Sequence, residues 1–126
     1  MDLFESLQPK PFRYEVKFPG SDKGTGLFLE VVSAADPRVK AAERDYLTGV
    51  QDLAAKSGER KSPDRDELAR VKARAAVIGC EFTGEATWKG KKPAFSFALR
   101  DEIMENERVY EQVLIQVVND RNFFTI

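Results

Sequence analysis

The sequence predicts an α+β domain, mainly α, with an N-terminal β-hairpin packed on a body of about four helices. Three observations carry that expectation. Residues 12 to 18 alternate apolar and polar side chains, the period of a half-buried strand, and a Gly-rich turn follows them. Asp36-Pro37 and Ser62-Pro63 each stand before apolar residues spaced by three and four, the pattern of a capped helix. The chain has 126 residues, which suits one domain and allows a core without disulfide or metal support.

Residues 1 to 11 read as a lead-in, because Pro9 and Pro11 discourage regular structure around Lys10. Phe12, Tyr14, Val16 and Phe18 then face one way, and Arg13, Glu15 and Lys17 the other. The turn chemistry of Pro19 to Gly26 reverses the chain, and Leu27 to Val32 supply the second strand of a hairpin over 12–32. A lone hairpin is marginal in water, so its apolar face must pack on something.

The first helix is expected over 36–57, with Val39, Ala42, Tyr46, Val50 and Leu53 in one stripe and Gly58 as its stop. After a polar connection, a second helix is expected over 63–79. Asp64, Asp66 and Glu67 favour its positive end, and Leu68, Val71, Ala75 and Ile78 form its stripe. Gly84, Gly90 and Pro93 make 83–95 a loop or a short irregular hairpin. Two C-terminal helices are expected over 96–120, a short one capped by Ser96 and a last one from Glu107 to about Asp120. The hairpin face is expected to share a core with Val39, Tyr46, Val50, Val71 and Ile78.

Basic and acidic residues number 20 and 21, so no global field draws the chain to nucleic acid or an anionic membrane. Cys80 is the only cysteine, which precludes an intrachain disulfide and favours a reducing compartment. Apolar runs such as Val113-Leu114-Ile115 are too short to span a bilayer, and Met1 to Glu5 lack the pattern of a signal peptide. Cytosolic residence is the expectation.

Catalytic chemistry finds little support. Histidine is absent, and with it the commonest general base and metal ligand at neutral pH. A lone cysteine without histidine lacks an activator, and no zinc ligand set can be assembled. Asp64, Asp66 and Glu67 are explained by helix electrostatics. Gly20, Gly24 and Gly26 precede a strand, whereas a phosphate loop requires a helix there. The basic residues between Lys56 and Arg74 are interrupted by acidic ones, as on an ordinary solvated face. Lys89, Lys91 and Lys92 around Trp88 are the better nucleic-acid candidate, still only one aromatic among three lysines. No catalytic residue, cofactor or metal is expected.

Apolar surface is what remains. The last helix carries Val109, Tyr110, Val113, Leu114, Val117 and Val118, a stripe wider than one narrow face, and Phe123 and Phe124 follow. Val109, Val113, Val117, Phe123 and Phe124 are therefore candidate protein-interaction residues. The same residues could instead complete the core, and the sequence leaves both open.

Four segments, in order, resemble the tail assembly chaperones of long-tailed bacteriophages. They are Asp36 to Ala42 at the first helix, Ala75 to Glu81 before a variable loop, Pro93 to Ser96 before the next helix, and Gln112-Val113 leading to Asp120 to Phe124. The chain differs at Cys80, where that family often has tryptophan, and at Arg121-Asn122, which the family often separates by a small residue. The resemblance implies a non-catalytic chaperone made in the infected bacterium and absent from the finished virion. Its partners would be the tape measure protein, which it keeps soluble, and tail tube subunits, which it helps recruit. Further copies of itself, as a homo-oligomer, and a frameshifted longer form are implied as well. A structural tail or head–tail connector subunit and a small nucleic-acid-binding regulator are the alternatives.

Overall fold

In the computed structural model, which describes residues 2–58 and 62–124, the alternating segment forms strand β1 (Phe12–Lys17) and the segment after the turn forms β2 (Gly24–Val31). The two pair antiparallel, Phe12 opposite Val31 and Tyr14 opposite Leu29. Ahead of them, a one-turn helix α1 (Leu3–Ser6) stands within the expected lead-in, capped by Asp2, which accepts from the Phe4 N–H.

Helix α2 (Pro37–Ser57) starts where the Asp36-Pro37 pair places it, and ends at Gly58, whose φ of 69° is left-handed. Helix α3 (Arg65–Ala76) opens on Asp64, which accepts from the N–H groups of Asp66 and Glu67. The expected helix over 63–79 is corrected at its C-terminal end. Residues Val77–Phe82 form a third strand, β3, antiparallel to β2, and the sheet order is β1-β2-β3. Helix and strand meet with no residue between them. The local sequence turns β-branched and aromatic at this point, and the free edge of β2 supplies the hydrogen bonds that a further helical turn would otherwise make.

The chain then runs through the expected loop, where Trp88 and Lys91 bridge across Lys89 and Gly90, both at positive φ. Ser96 caps α4 (Phe97–Met104) by accepting from the Leu99 N–H, and Asn106 caps α5 (Glu107–Val117). Helix α5 stops short of Asp120, and a 3₁₀ turn covers Asp120–Asn122. The fold is α+β.

One face of the sheet, with Val16, Leu27, Leu29, Val31 and Val77, packs on α3, α4 and α5 to make the core. Phe123 closes one end of it, edge-on to Phe12 at 6.4 Å, while its carbonyl accepts from the Lys10 N–H. Gln112 ties α5 to the hairpin. Its amide accepts from the Lys17 N–H and the Tyr14 hydroxyl and donates to the Lys17 carbonyl. On the opposite face of the sheet, the Arg13 guanidinium lies 3.7 Å over the Phe28 ring and reaches Glu81 at 2.8 Å.

The shared core expected between hairpin and first helix is narrower than the sequence suggested. Val39 is the only buried residue of α2, and Phe18 is exposed beyond the end of β1. Tyr46 and Val50 are half-buried, because α2 packs chiefly on α3 and not on the sheet.

Candidate partner-binding surface

The candidate interaction residues of the C-terminal region do not form an exposed surface. Val109, Val113, Val117 and Phe123 are buried, Val113 completely, and Phe124 is half-buried. The wide stripe of α5 is used up inside the molecule, with β1 and β2 on one side and α3 and α4 on others. Among the described residues of that region, only Ile115 and Val118 present large apolar side chains to solvent.

An exposed apolar surface lies elsewhere, in a groove of about 600 Å³ between α2, the α3–β3 junction and α4. Ala41 and Ala42 form its α2 wall, Ala75 and Ile78 its floor, and Phe97 its far rim. Each wall follows from local sequence. The early Asp36-Pro37 start sets the phase of α2, and the abrupt passage from Ala76 to Val77 turns Ile78 away from the helix line. The Ser96 cap leaves Phe97 at the first helical position, 67 % exposed. Its ring is held in place, edge-on to Phe95 at 6.1 Å and under the Arg100 guanidinium at 4.6 Å. Arg100 is itself fixed by Asp101 at 3.0 Å.

The groove continues along α2. Asp45 lines both it and a second depression of about 470 Å³ formed by Tyr46, Gly49, Val50 and Leu53. Arg38, Ala42, Asp45, Gly49 and Leu53 follow steps of three and four, so both depressions share one helix face. The Tyr46 hydroxyl donates to Glu67 at 3.4 Å and accepts from the Asp64 N–H at 3.2 Å, which marks where α3 begins. Residues 47–57 of α2 extend beyond that point, roughly 16 Å at about 1.5 Å per residue.

Other candidates fare differently. Trp88 is half-buried against the core and offers no open stacking platform, while Lys89 is engaged by Glu102 and Lys92 by the Gly84 carbonyl. The Lys89 ammonium holds the Glu102 carboxyl below the usual carboxylate range. Burial pushes the Cys80 thiol up, which favours the protonated form over the nucleophilic thiolate. Among the described residues no group of three or more His, Cys, Asp or Glu is placed to hold a metal ion. None of the described helices is long and apolar enough to cross a membrane.

Sequence reasoning missed this groove because it gathers segments far apart in the chain. One signal was present: Phe97 is out of phase with the Leu99 and Ile103 stripe of its own helix, so it cannot face the same core. Comparison of the chain with protein-family models, with curated proteins and with solved structures found no match in any of the three.

Proposed function

We propose that the chain is a non-catalytic tail assembly chaperone of a long-tailed bacteriophage. In this reading it binds the tape measure protein in the cytoplasm of the infected bacterium, keeps it soluble and helps recruit tail tube subunits. It is then released before the virion is complete. Homo-oligomers and a frameshifted longer form of the chain belong to the same proposal.

The supporting observation is a convergence. Arg38, Ala41 and Ala42 come from the first family-like segment, Ala75 and Ile78 come from the second, and Phe97 follows directly on the third. Three segments separated in sequence thus meet around one open apolar groove, where a shared binding surface, rather than only a shared core, can lie. The fourth segment supports the fold through Gln112 and Phe123. An amphipathic client helix needs only apolar anchors at three- and four-residue spacing to seat in such a groove. Many chaperone copies on one extended client gain avidity while each contact remains weak enough to be displaced.

Co-expression with the tape measure protein of the same genome tests the proposal. The tape measure becomes soluble and co-purifies with several copies of the chain, and Phe97→Asp removes it from the complex while the thermal melt is unchanged. The expected loss is about 2 kcal/mol or more, that of an anchor residue. A tape measure that stays insoluble beside well-folded chain sinks the proposal. Finding the chain in purified virions favours a structural tail subunit instead.

A further inference from the structure

We infer that the end of α2 that outruns α3 is a dimer contact, in which the α2 helices of two copies of this chain pair antiparallel about a two-fold axis near Gln51. The inference specifies the self-association within the proposed function and does not depend on which client the chain binds.

Residues 47–57 of α2 reach past the point where Tyr46 meets the start of α3 through Asp64 and Glu67. Asp45, Gly49, Leu53 and Lys56 follow steps of four and three along this stretch and are all exposed, so they form one open side of the helix. That side carries both a knob and a hole. Leu53 projects from it, 58 % exposed. Gly49, one turn earlier, leaves space: nothing lies within 4 Å of where a β-carbon would stand, and Asp45 and Tyr46 wall the depression there. A parallel pair in register would set Leu53 against Leu53 and leave both holes empty. An antiparallel pair fills both, since each copy lends its knob to the hole of the other.

The charges select the same arrangement. In the first turns of α2, Arg38 pairs with Asp36 at 3.9 Å and Lys40 with Glu43 at 3.8 Å. The side chains of Asp45, Asp52 and Lys56, by contrast, form no ion pair or hydrogen bond among the described residues. About an axis near Gln51, Leu53 of each copy enters the space over Gly49 of the other, and Lys56 comes level with Asp45 on the same flank of the pair. Lys56 then stands between Asp45 of the second copy and Asp52 of its own chain, one turn before it, so both carboxylates gain a cation. Such a contact is isologous and closes at two chains. It consists of a single helix pair, smaller than a stable interface requires, so the dimer is weak and dilute chains are monomers.

Sedimentation equilibrium from dilute to concentrated full chain provides the test, with the variants Asp45→Lys, Lys56→Glu and the chain carrying both substitutions. The average mass of the unaltered chain rises from that of one chain towards two and stops there. Each single variant turns two attractions into two repulsions and dimerises at least about ten-fold more weakly. An equimolar mixture of the two single variants dimerises again, because every charge then meets its opposite across the axis, and the double variant dimerises alone for the same reason. Recovery also shows that both single variants are folded. An unaltered chain that stays monomeric or grows past two, single variants that dimerise as before, or a mixture that does not recover overturns the inference. Tape-measure pull-down keeps the two readings apart. A chain that dimerises but never holds the tape measure defeats only the chaperone reading, and one that holds it while failing the charge exchange defeats only the dimer.

Discussion

Helix α5 buries four of its eleven residues, whereas α2 buries one of its twenty-one. Both carry apolar stripes in the sequence, so the stripe alone does not decide burial. Neighbours do. Helix α5 lies against two strands and two helices, while α2 rests chiefly on the shorter α3 and outruns it. The apolar and small residues of α5 therefore hold the fold together, and those of α2 are left largely at the surface.

The comparison breaks most visibly under charge insertion. Val113→Asp puts a carboxylate where no side chain is exposed and destabilises by about 4 kcal/mol or more, enough to unfold the chain in a urea titration. Leu53→Asp on α2 changes the same titration by only about 0.5 kcal/mol. Equal effects at the two positions would remove the distinction between the helices. Next in size is Phe123→Ala, which opens the end of the core beside Phe12 and costs about 3–5 kcal/mol. Gln112→Ala then leaves the Lys17 backbone groups without their side-chain partners, a loss of about 1–3 kcal/mol read by the same titration.

On α2 one substitution goes the other way. Gly49 sits mid-helix, lacks a positive φ, and nothing lies within 4 Å of where a β-carbon would stand. Gly49→Ala raises stability by about 0.5–1 kcal/mol, seen as a higher melting temperature. If the proposed client surface reaches this end of α2, the same substitution weakens a tape-measure pull-down.

The smallest effect concerns pH. Burial raises the folded-state values of Cys80, Tyr14 and Tyr110, so their contribution to stability is intact below the ordinary thiol value. It is lost as pH rises through the raised values, because the unfolded chain ionises first. Through these three groups stability falls on the alkaline side, whereas the lowered Glu102 carboxyl contributes a loss as pH falls through its folded-state value; Cys80 reacts with iodoacetamide at pH 8 at least about ten-fold more slowly in the native chain than in urea.

Local chemistry made much of the fold legible. The alternation of Phe12 to Val16, the Asp36-Pro37 start, the Gly58 stop and the Ser96 cap each act within a few residues, and each does what its sequence predicts. Strand β3 escaped notice because Ala75 and Ile78 continue the helical spacing of Leu68 and Val71, and only the free edge of β2 settles the matter. The interaction residues failed for a related reason. A wide stripe on α5 is equally suited to two internal partners or to one internal and one external partner, and counting its neighbours requires the sheet. The groove was the least legible feature, since its walls come from three distant segments.

The placement of β3 also governs how the chain reaches this structure. Strands β1 and β2 can zip together across a short turn, but β3 joins β2 only after the 45 residues between them have been gathered in. Until then the second edge of β2 is a bare template for any other extended chain. Pairing of α2 with α3 shortens that gap by bringing the end of α3 back to the sheet, and β3 follows without a linker. The two-helix excursion is thus the slow step's remedy: loop closure is completed by helices that form quickly, and the vulnerable edge is sealed as soon as they meet.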